Sequence, residues 1–479
     1  MPRSGGSSRI RPMPARACGW GSRAAAAPAC PTSASSTTPA RATPSSPSAT
    51  SRSTSTASPP STWVASRSTS MAASRARAGP SSTRTRRTPA GAASPSACDA
   101  GRPPMSLPGV ADARTSRAAV LVGVVPASFE GRGMAAPGVL AATGPDASSF
   151  LHSQLTNDVD GLEPGQGNLN ARVTRTGHLA QVFGLHRLPS GEGFWMTVGR
   201  EHVRALHDDL DGFLFADDVV FALEGPFDTL AVQGPRAAET CEAVFGALGF
   251  EPWSVLPEGA IRALTRVKGA VPVDLPEGAF AVRRSLGGDV GFVLFLPADT
   301  VLHELADAFR AVGAPVVDAP TWDAALDVLR IEAGVPRVGP ETAGKKRLLP
   351  ETGLEQQAVS YTKGCYLGQE VIARVRTYGS VPQLLRALVF DDADALDRLP
   401  PPGERLKADG KAVGAVASRT FSPVLEAPVA LAYLGRNHRT PGTALTLDLD
   451  DGPLACRVAV LPLYSAPDNA AKVQQLYDR

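Results

Sequence analysis

The sequence predicts an α+β body that ends in a small all-β domain and follows a disordered N-terminal tract. Three observations carry that prediction. Helical and strand periodicities mix along the body without a regular βαβ repeat. After about Asp391 the pattern changes to short alternating runs separated by Gly, Pro and Asn. The first 110 residues hold almost no large apolar side chain. The chain has 479 residues and a formal net charge of +2, which conceals two unlike parts. Residues 1–110 contain 14 Arg and a single acid, Asp99. The other 34 basic and 45 acidic side chains fall in 111–479, so a basic tract joins an acidic body long enough for sizeable cores.

Up to Leu107 the large apolar residues of the tract, Met aside, are Ile10, Trp20, Trp63 and Val64. Burial there cannot offset the entropy of ordering, so residues 1–115 are read as disordered. Three origins fit this composition: translation from an upstream start in another frame, a genuine disordered tail, or an organelle transit peptide. The first Leu is Leu107, the first Lys is Lys268 and the first Tyr is Tyr361. So long a stretch without Leu favours an unselected reading of GC-rich DNA, with Met134 as a candidate start. The localisation expected is cytoplasmic, or the mitochondrial matrix if the tract is a transit peptide. The longest apolar run, 118–125, follows Arg114 and Arg117 as a secretory h-region would. It lies deep in the chain and is far shorter than the ~20 residues of a membrane helix, so no span is expected. Cys18, Cys30, Cys98, Cys241, Cys365 and Cys456 show no dense spacing, which points to a reducing compartment.

In order along the body, Gly144-Pro145-Asp146 opens a helix, with Ala147, Phe150, Leu151 and Leu155 recurring at helical spacing. Residues 194–198 and 229–233 read as strands. Gly234-Pro235 starts a second helix with Cys241, Val244, Phe245 and Leu248 on one face. Two strand-like runs follow, 279–283 and 291–296. A third helix covers about 300–312, with Leu302, Leu305, Phe309 and Val312 inward. A fourth begins at Pro320-Thr321, buries Trp322, Ala325, Leu326 and Leu329, and stops at Gly334. In the final all-β region, Leu454, Cys456, Val458 and Val460 face one way.

One segment carries chemistry: Tyr361-Thr362-Lys363-Gly364-Cys365-Tyr366-Leu367-Gly368-Gln369-Glu370. Cys241 and Cys456 share apolar faces and read as small buried hydrophobes. Cys365 shares none. Gly364 and Gly368 flank it and allow close approach of a ligand to the backbone. Lys363 is placed to favour a thiolate. Gln369 and Glu370 offer amide and carboxylate groups to a ring edge, and 371–374 continue as a helix whose N-terminus favours anions. A structural Cys buried in a tight turn explains the same residues equally well. His303 and His438 are remote, so a Cys–His pair has no support. No metal site is expected, because a single thiolate supplies one of about four ligands needed by zinc or an iron–sulfur cluster. The basic run Lys345-Lys346-Arg347 reads as a solvated loop, or as a contact for an anionic ligand tail. No Walker loop or dinucleotide fingerprint is present.

The stretch 363–370 resembles the K-G-C-[FY]-x-G-Q-E signature of the YgfZ family, folate-binding relatives of the glycine-cleavage T-protein (aminomethyltransferase). Three further stretches agree in order: 144–159 (GPDASSFLHSQLTNDV), 329–336 (LRIEAGVP) and the β region after Asp391. The resemblance covers about residues 134–465. It implies a T-protein-like ring of two α+β modules around a folate cavity over 134–390, and a C-terminal β-barrel over 391–479. It implies tetrahydrofolate or a derivative as the ligand. The implied role is support of iron–sulfur cluster assembly or repair in client enzymes, one being the radical enzyme that methylthiolates tRNA. Cys365 would carry the chemistry, tuned by Lys363. Gly364, Tyr366, Gly368, Gln369, Glu370, Arg330 and Glu332 would line the folate site. Arg330 and Glu332 read equally well as salt-bridging residues. Direct nucleic-acid binding is not expected of an acidic body. The competing class is folate-dependent aminomethyl transfer, in which T-proteins carry an Asp in a Gly-x-x-x-Asp-Asp-like stretch. Here the line runs Gly177-His178-Leu179-Ala180-Gln181-Val182, without an acid. That departure favours folate binding without conventional enzymatic turnover.

Overall fold

The computed structural model describes residues 108–464, except 132, 248–250, 269–271, 340, 343–345 and 380. The basic tract to residue 107 with Cys18, Cys30 and Cys98, the helix position Leu248, Lys345 and residues 465–479 lie outside the described residues.

Helix α1 (Val110–Ala118) leads into strand β1 (Leu121–Val125). Order therefore begins before residue 115. Ala113 and Ser116 are buried, and Ser116 Oγ donates to Gln233 O at 3.1 Å. Gly109 has φ +81, and a Cβ there would stand 2.3 Å from the backbone of Ala324, so the start of α1 is held by a close approach that only glycine permits. The apolar run that mimics a leader lies inside a sheet. Leu121 pairs antiparallel with Gln233 on one side, and Val122 pairs parallel with Val316 on the other. A start at Met134 would remove this interior strand.

The first module consists of β2 (Pro137–Thr143), α2 (Ala147–Gln154), β3 (Gly167–Val173), β4 (Leu179–Arg187), β5 (Phe194–Gly199), α3 (Val203–Asp211) and β6 (Val220–Glu224). Its five strands form an antiparallel sheet in the order β3-β4-β5-β2-β6. Leu140, Phe183 and Met196 of the sheet meet Phe150 and Leu151 of α2 and Leu206 and Leu210 of α3 in one core.

The second module runs through β7 (Phe227–Gln233), α4 (Ala237–Phe245), β8 (Ile261–Ala263), β9 (Arg266–Val267), β10 (Val273–Asp274), β11 (Phe280–Arg283), β12 (Gly291–Pro297), α5 (Leu302–Ala311), β13 (Val316–Val317) and α6 (Ala319–Ala333). Its main sheet has the order β13-β1-β7-β12-β11-β8. Helices α4 and α5 cover one face with Val244, Phe245, Leu305 and Phe309. Helix α6 covers the other with Trp322, Ala325, Leu326 and Leu329. The N-cap of α6 is Asp318, whose Oδ1 accepts the Thr321 N–H at 3.1 Å, and Gly334 ends the helix at φ 78. Val312 departs from the expected inward face. It follows the last residue of α5 and is 41% exposed, because the chain turns away at Gly313.

Helices α7 (Glu355–Ala358) and α8 (Gln369–Tyr378) connect to the third module. That module contains β14 (Gln383–Phe390), α9 (Ala395–Arg398), β15 (Arg405–Ala408), β16 (Lys411–Ser422), β17 (Ala427–Gly435), β18 (Ala444–Leu449) and β19 (Gly452–Ala459). The strands run antiparallel in the order β15-β16-β17-β14-β19-β18 and curl into a near-closed barrel. Along β19 the alternation is as expected, with Leu454, Cys456 and Val458 inward. The barrel starts one strand before Asp391. β14 is buried on both faces, Leu388 and Phe390 in the barrel core and Leu385 and Val389 against Ile331 of α6, so it shows no alternation to mark it. Among the described residues no helix is long and apolar enough to cross a membrane.

His186 joins the first two modules. Its Nδ1–H donates to Gly259 O at 2.7 Å, and its Nε2 shares a hydrogen bond of 2.9 Å with Thr197 Oγ1. Burial pushes its pKa down to about 4, with the Arg284 charge adding to the shift against the Gly259 bond. The unfolded chain therefore binds more protons between the usual histidine value of 6.5 and about 4. The contribution of His186 is complete above pH 6.5 and is lost as pH falls through that window. Urea midpoints measured from pH 7 to pH 4 should fall for the wild type and fall less steeply for His186→Asn. A chain that begins at Met134 should melt without a single cooperative transition, whereas one that begins at Met105 should keep it, as read by circular dichroism.

Candidate functional site

A cavity of about 650 Å³ lies between the first and second modules. The first module contributes Asn168, Leu169, Val182 and Thr197. The second contributes Val282, Arg284, Leu286, Val293 and Phe295, and α6 adds Leu326 and Arg330. Gly353, Leu354, Gln356 and Gln357 form a further wall, and Tyr464 from the chain beyond the barrel closes another side. The size lies within the usual range for small-molecule sites, about 300–1,000 Å³. The lining combines broad apolar walls with a few amides and charges, the pattern that holds a flat heteroaromatic ring and reads its edge.

The signature residues lie elsewhere. None of Lys363, Gly364, Cys365, Tyr366, Gly368, Gln369 or Glu370 lines the cavity. Lys363 Nζ donates to the carbonyls of His152, Leu155 and Asn157 at 2.6, 2.8 and 2.9 Å. All three ammonium donors are thus engaged at the C-terminal end of α2, where helical carbonyls lack partners. Lys363 is therefore a clamp on α2, with its hydrogen bonds directed to these carbonyls. Burial pushes its pKa down to about 8, against the pull of Asp158 and Asp160.

Cys365 is exposed at a turn, which removes the reading of a buried structural thiol. Cys241 and Cys456 are buried as expected, and burial pushes the Cys456 thiol up to about 12. Tyr366 packs into a cluster with Leu179, Leu349 and Ile372, and burial pushes its hydroxyl up to about 12. Gly368 has φ +80, and a Cβ there would lie 2.4 Å from Thr174 O. Its neighbour across that contact is the turn at Gly177, whose own Cβ would stand 2.7 Å from Val371. The fold thus packs the signature against the turn where this chain lacks the T-protein acid. Gln369 opens α8. Glu370 is exposed and pairs with Arg374 one turn on, at 2.7 Å.

Arg330 and Glu332 part company. Arg330 lines the cavity but is held by Asp327 at 2.6 Å, Ser418 Oγ at 2.8 Å and Glu341 at 3.3 Å. Glu332 is fully buried away from the cavity and accepts from Arg117 Nε at 3.0 Å and Ser422 Oγ at 2.6 Å. Arg347, expected in a solvated loop, is buried, with its guanidinium 3.9 Å above the Tyr433 ring; Lys346 is exposed.

Sequence reading missed Asn157, which links the two places. Its carbonyl accepts from Lys363, and its Nδ2 donates to Leu169 O at 2.8 Å and Gln357 O at 3.0 Å, both cavity-wall residues. Its position inside the stretch LTNDV was the available signal. Among the described residues no cluster of three or more His, Cys, Asp or Glu could hold a metal ion.

The three-module architecture defines a glycine-cleavage T-protein fold. A crystal structure of the glycine cleavage system aminomethyltransferase T from Bartonella henselae superposes with a TM-score of 0.60 at 20% identity, covering 75% of this chain and 90% of that one. Residues 134–363 match the GCVT N-terminal domain, and 385–465 match the glycine cleavage T-protein C-terminal barrel domain. The chain therefore carries, in order, both aminomethyltransferase-like domains of the glycine cleavage T-protein family. It is 29% identical to an aminomethyltransferase of Symbiobacterium thermophilum over 69% of this chain and 84% of that protein. It is 26% identical to an aminomethyltransferase of Streptomyces avermitilis, over 68% and 84%. It is also 26% identical to a putative chloroplastic transferase of Arabidopsis thaliana, over 69% and 71%.

Lys363→Met should lower stability by about 1–3 kcal/mol, because buried carbonyls lose their donor. Urea unfolding measures this. The rate at which iodoacetamide alkylates Cys365, followed by peptide mass spectrometry, should stay within about twofold of wild type, since the ammonium directs its hydrogen bonds to those carbonyls.

Proposed function

We propose that this protein binds a reduced folate in the central cavity and serves, like the YgfZ family its signature resembles, in maintaining iron–sulfur clusters of client enzymes. The observation that carries this reading is Val182. Counting from Gly177, the two acidic positions of the T-protein stretch fall on Gln181 and Val182, and Val182 is a wall of the cavity. An apolar side chain there cannot steer a proton at a bound folate. Retention of the cavity without that carboxylate supports binding without aminomethyl turnover.

The residues present fit a folate. Val282, Leu286, Val293 and Phe295 supply walls for a ring, and Asn168, Gln356 and Gln357 supply amides for its edge. A bound folate would supply a one-carbon carrier. The chain's own part is to hold it between modules and away from Cys365. Cys365, exposed on its turn, is the group a client can reach. As a single thiolate it would assist a cluster that the client binds.

The second reading is folate-dependent aminomethyl transfer, which the aminomethyltransferase relatives favour. Both readings are tested with a bacterial strain lacking its own family member. Wild type should restore methylthiolated tRNA, and Cys365→Ala should lower the restored fraction by about tenfold or more, without loss of thermal stability. Equal rescue by the two would reject a role for the thiol. Turnover of an aminomethylated donor with tetrahydrofolate, together with no rescue, would establish the second reading instead.

A further inference from the structure

Four arginines line the central cavity: Arg283, Arg284, Arg330 and Arg337. Three are engaged by the protein. Arg283 Nη1 donates to Leu256 O at 2.5 Å and Ser254 O at 3.2 Å. Arg330 is held by Asp327, Glu341 and Ser418, and Arg337 Nη2 donates to Asp327 at 2.5 Å. Among the described residues, the guanidinium of Arg284 has no hydrogen bond, ion pair or ring contact, although its side chain is half-buried at the cavity wall.

Its backbone is fixed. The Arg284 N–H donates to Gly291 O at 2.9 Å, and its carbonyl accepts from the buried Gln233 Nε2 at 3.0 Å. The same Gln233 takes the Leu286 N–H at 3.0 Å, so the wall around Arg284 is rigid. Burial lowers the Arg284 pKa, and the Glu258 charge opposes that only in part. Glu258 is the charge that faces it, and among the described residues no acceptor takes its guanidinium donors, which a ligand's carboxylate can fill. The surroundings specify which anion. Val282, Leu286, Val293 and Phe295 require an apolar body, and a single cation beside Glu258 matches a singly charged group better than a dianionic phosphate.

We propose that Arg284 is the recognition point of the central cavity for the carboxylate of an organic ligand, so that the cavity selects apolar-bodied carboxylates over neutral molecules of the same shape. The assignment deepens the folate reading by naming the group that anchors the ligand's carboxylate, yet it rests only on the cavity being a ligand site.

The test uses the full chain at fixed ionic strength, titrated calorimetrically with 2-naphthoate and its neutral counterpart 2-naphthamide. Wild type should bind the carboxylate about tenfold tighter than the amide. Arg284→Met should bring the two to parity, and Arg284→Lys should restore part of the preference. Thermal melts of both variants should stay close to wild type, because among the described residues the guanidinium makes no hydrogen bond or close ion pair that would be lost. No preference in the wild type, no binding of either probe, or an unchanged ratio in Arg284→Met overturns the assignment. Folinate is titrated in parallel. If the naphthoate preference depends on Arg284 but folinate does not bind, the anion site stands and the folate reading falls. If folinate binds wild type and Arg284→Met alike and the naphthoate ratio is unmoved, the folate reading stands and the anion site falls.

Discussion

The structure depends on a buried ion pair. Glu332, near the end of α6, accepts from Arg117 of α1 at 3.0 Å, from Ser422 of the barrel at 2.6 Å and from the Val424 N–H at 3.4 Å. Arg117 in turn donates to Asp289 at 2.5 Å, Gly287 O at 2.8 Å and Leu329 O at 3.0 Å, and lies 3.5 Å from the centre of the Tyr464 ring. Buried charges destabilise a fold unless every donor and acceptor is met. Here they are met by groups from five separate segments, so the pair forms only when α1, α6, the 287–289 turn, the barrel and the 464 segment are all in place. Two residues earlier, Arg330 repeats the device toward Asp327, Glu341 and Ser418. Helix α6 is thereby fixed between the sheet and the barrel, and the cavity it walls keeps its shape.

That dependence explains what the sequence revealed and what it concealed. The periodicity of α6, its Pro-rich start and its terminal Gly were legible because they are local. The alternation of β19 was legible because one face meets water. β14 was concealed because both of its faces are covered. β1 was concealed for a related reason: an interior strand reads as an unbroken apolar run, the same pattern as a leader peptide. The fate of charged side chains is set by distant segments. Arg330 and Glu332 differ by two positions, yet one borders the cavity and the other is sealed in the core. Nothing local distinguishes them.

The signature shows the same limit in a functional motif. Spacing placed Lys363 two residues from Cys365 and suggested a joint role. Tertiary structure gives the lysine to α2, whose last carbonyls and following turn need donors. The motif thus contains two kinds of residue. Lys363, Tyr366 and Gly368 hold the loop against α2 and the Gly177 turn, and Cys365 is what the held loop displays. Gln369 and Glu370 belong to the start of α8 and do not reach a ligand in the cavity.

Asn157 gives this arrangement a functional consequence. It is tied to Lys363 through its carbonyl and to both Leu169 and Gln357 through its side chain. A ligand pressing on the wall at Leu169 or Gln357 therefore acts on the residue that anchors the signature loop. The route is short and made of hydrogen bonds with fixed geometry, so it can bias the loop only if the loop has two arrangements to choose between. On the proposed reading, the occupied cavity would then set how Cys365 is presented to a client without the ligand ever touching the thiol. An apolar wall at Val182 suits that use of a ligand, because a bound molecule that serves as a wedge needs affinity and shape and has no need of a proton acceptor beside it.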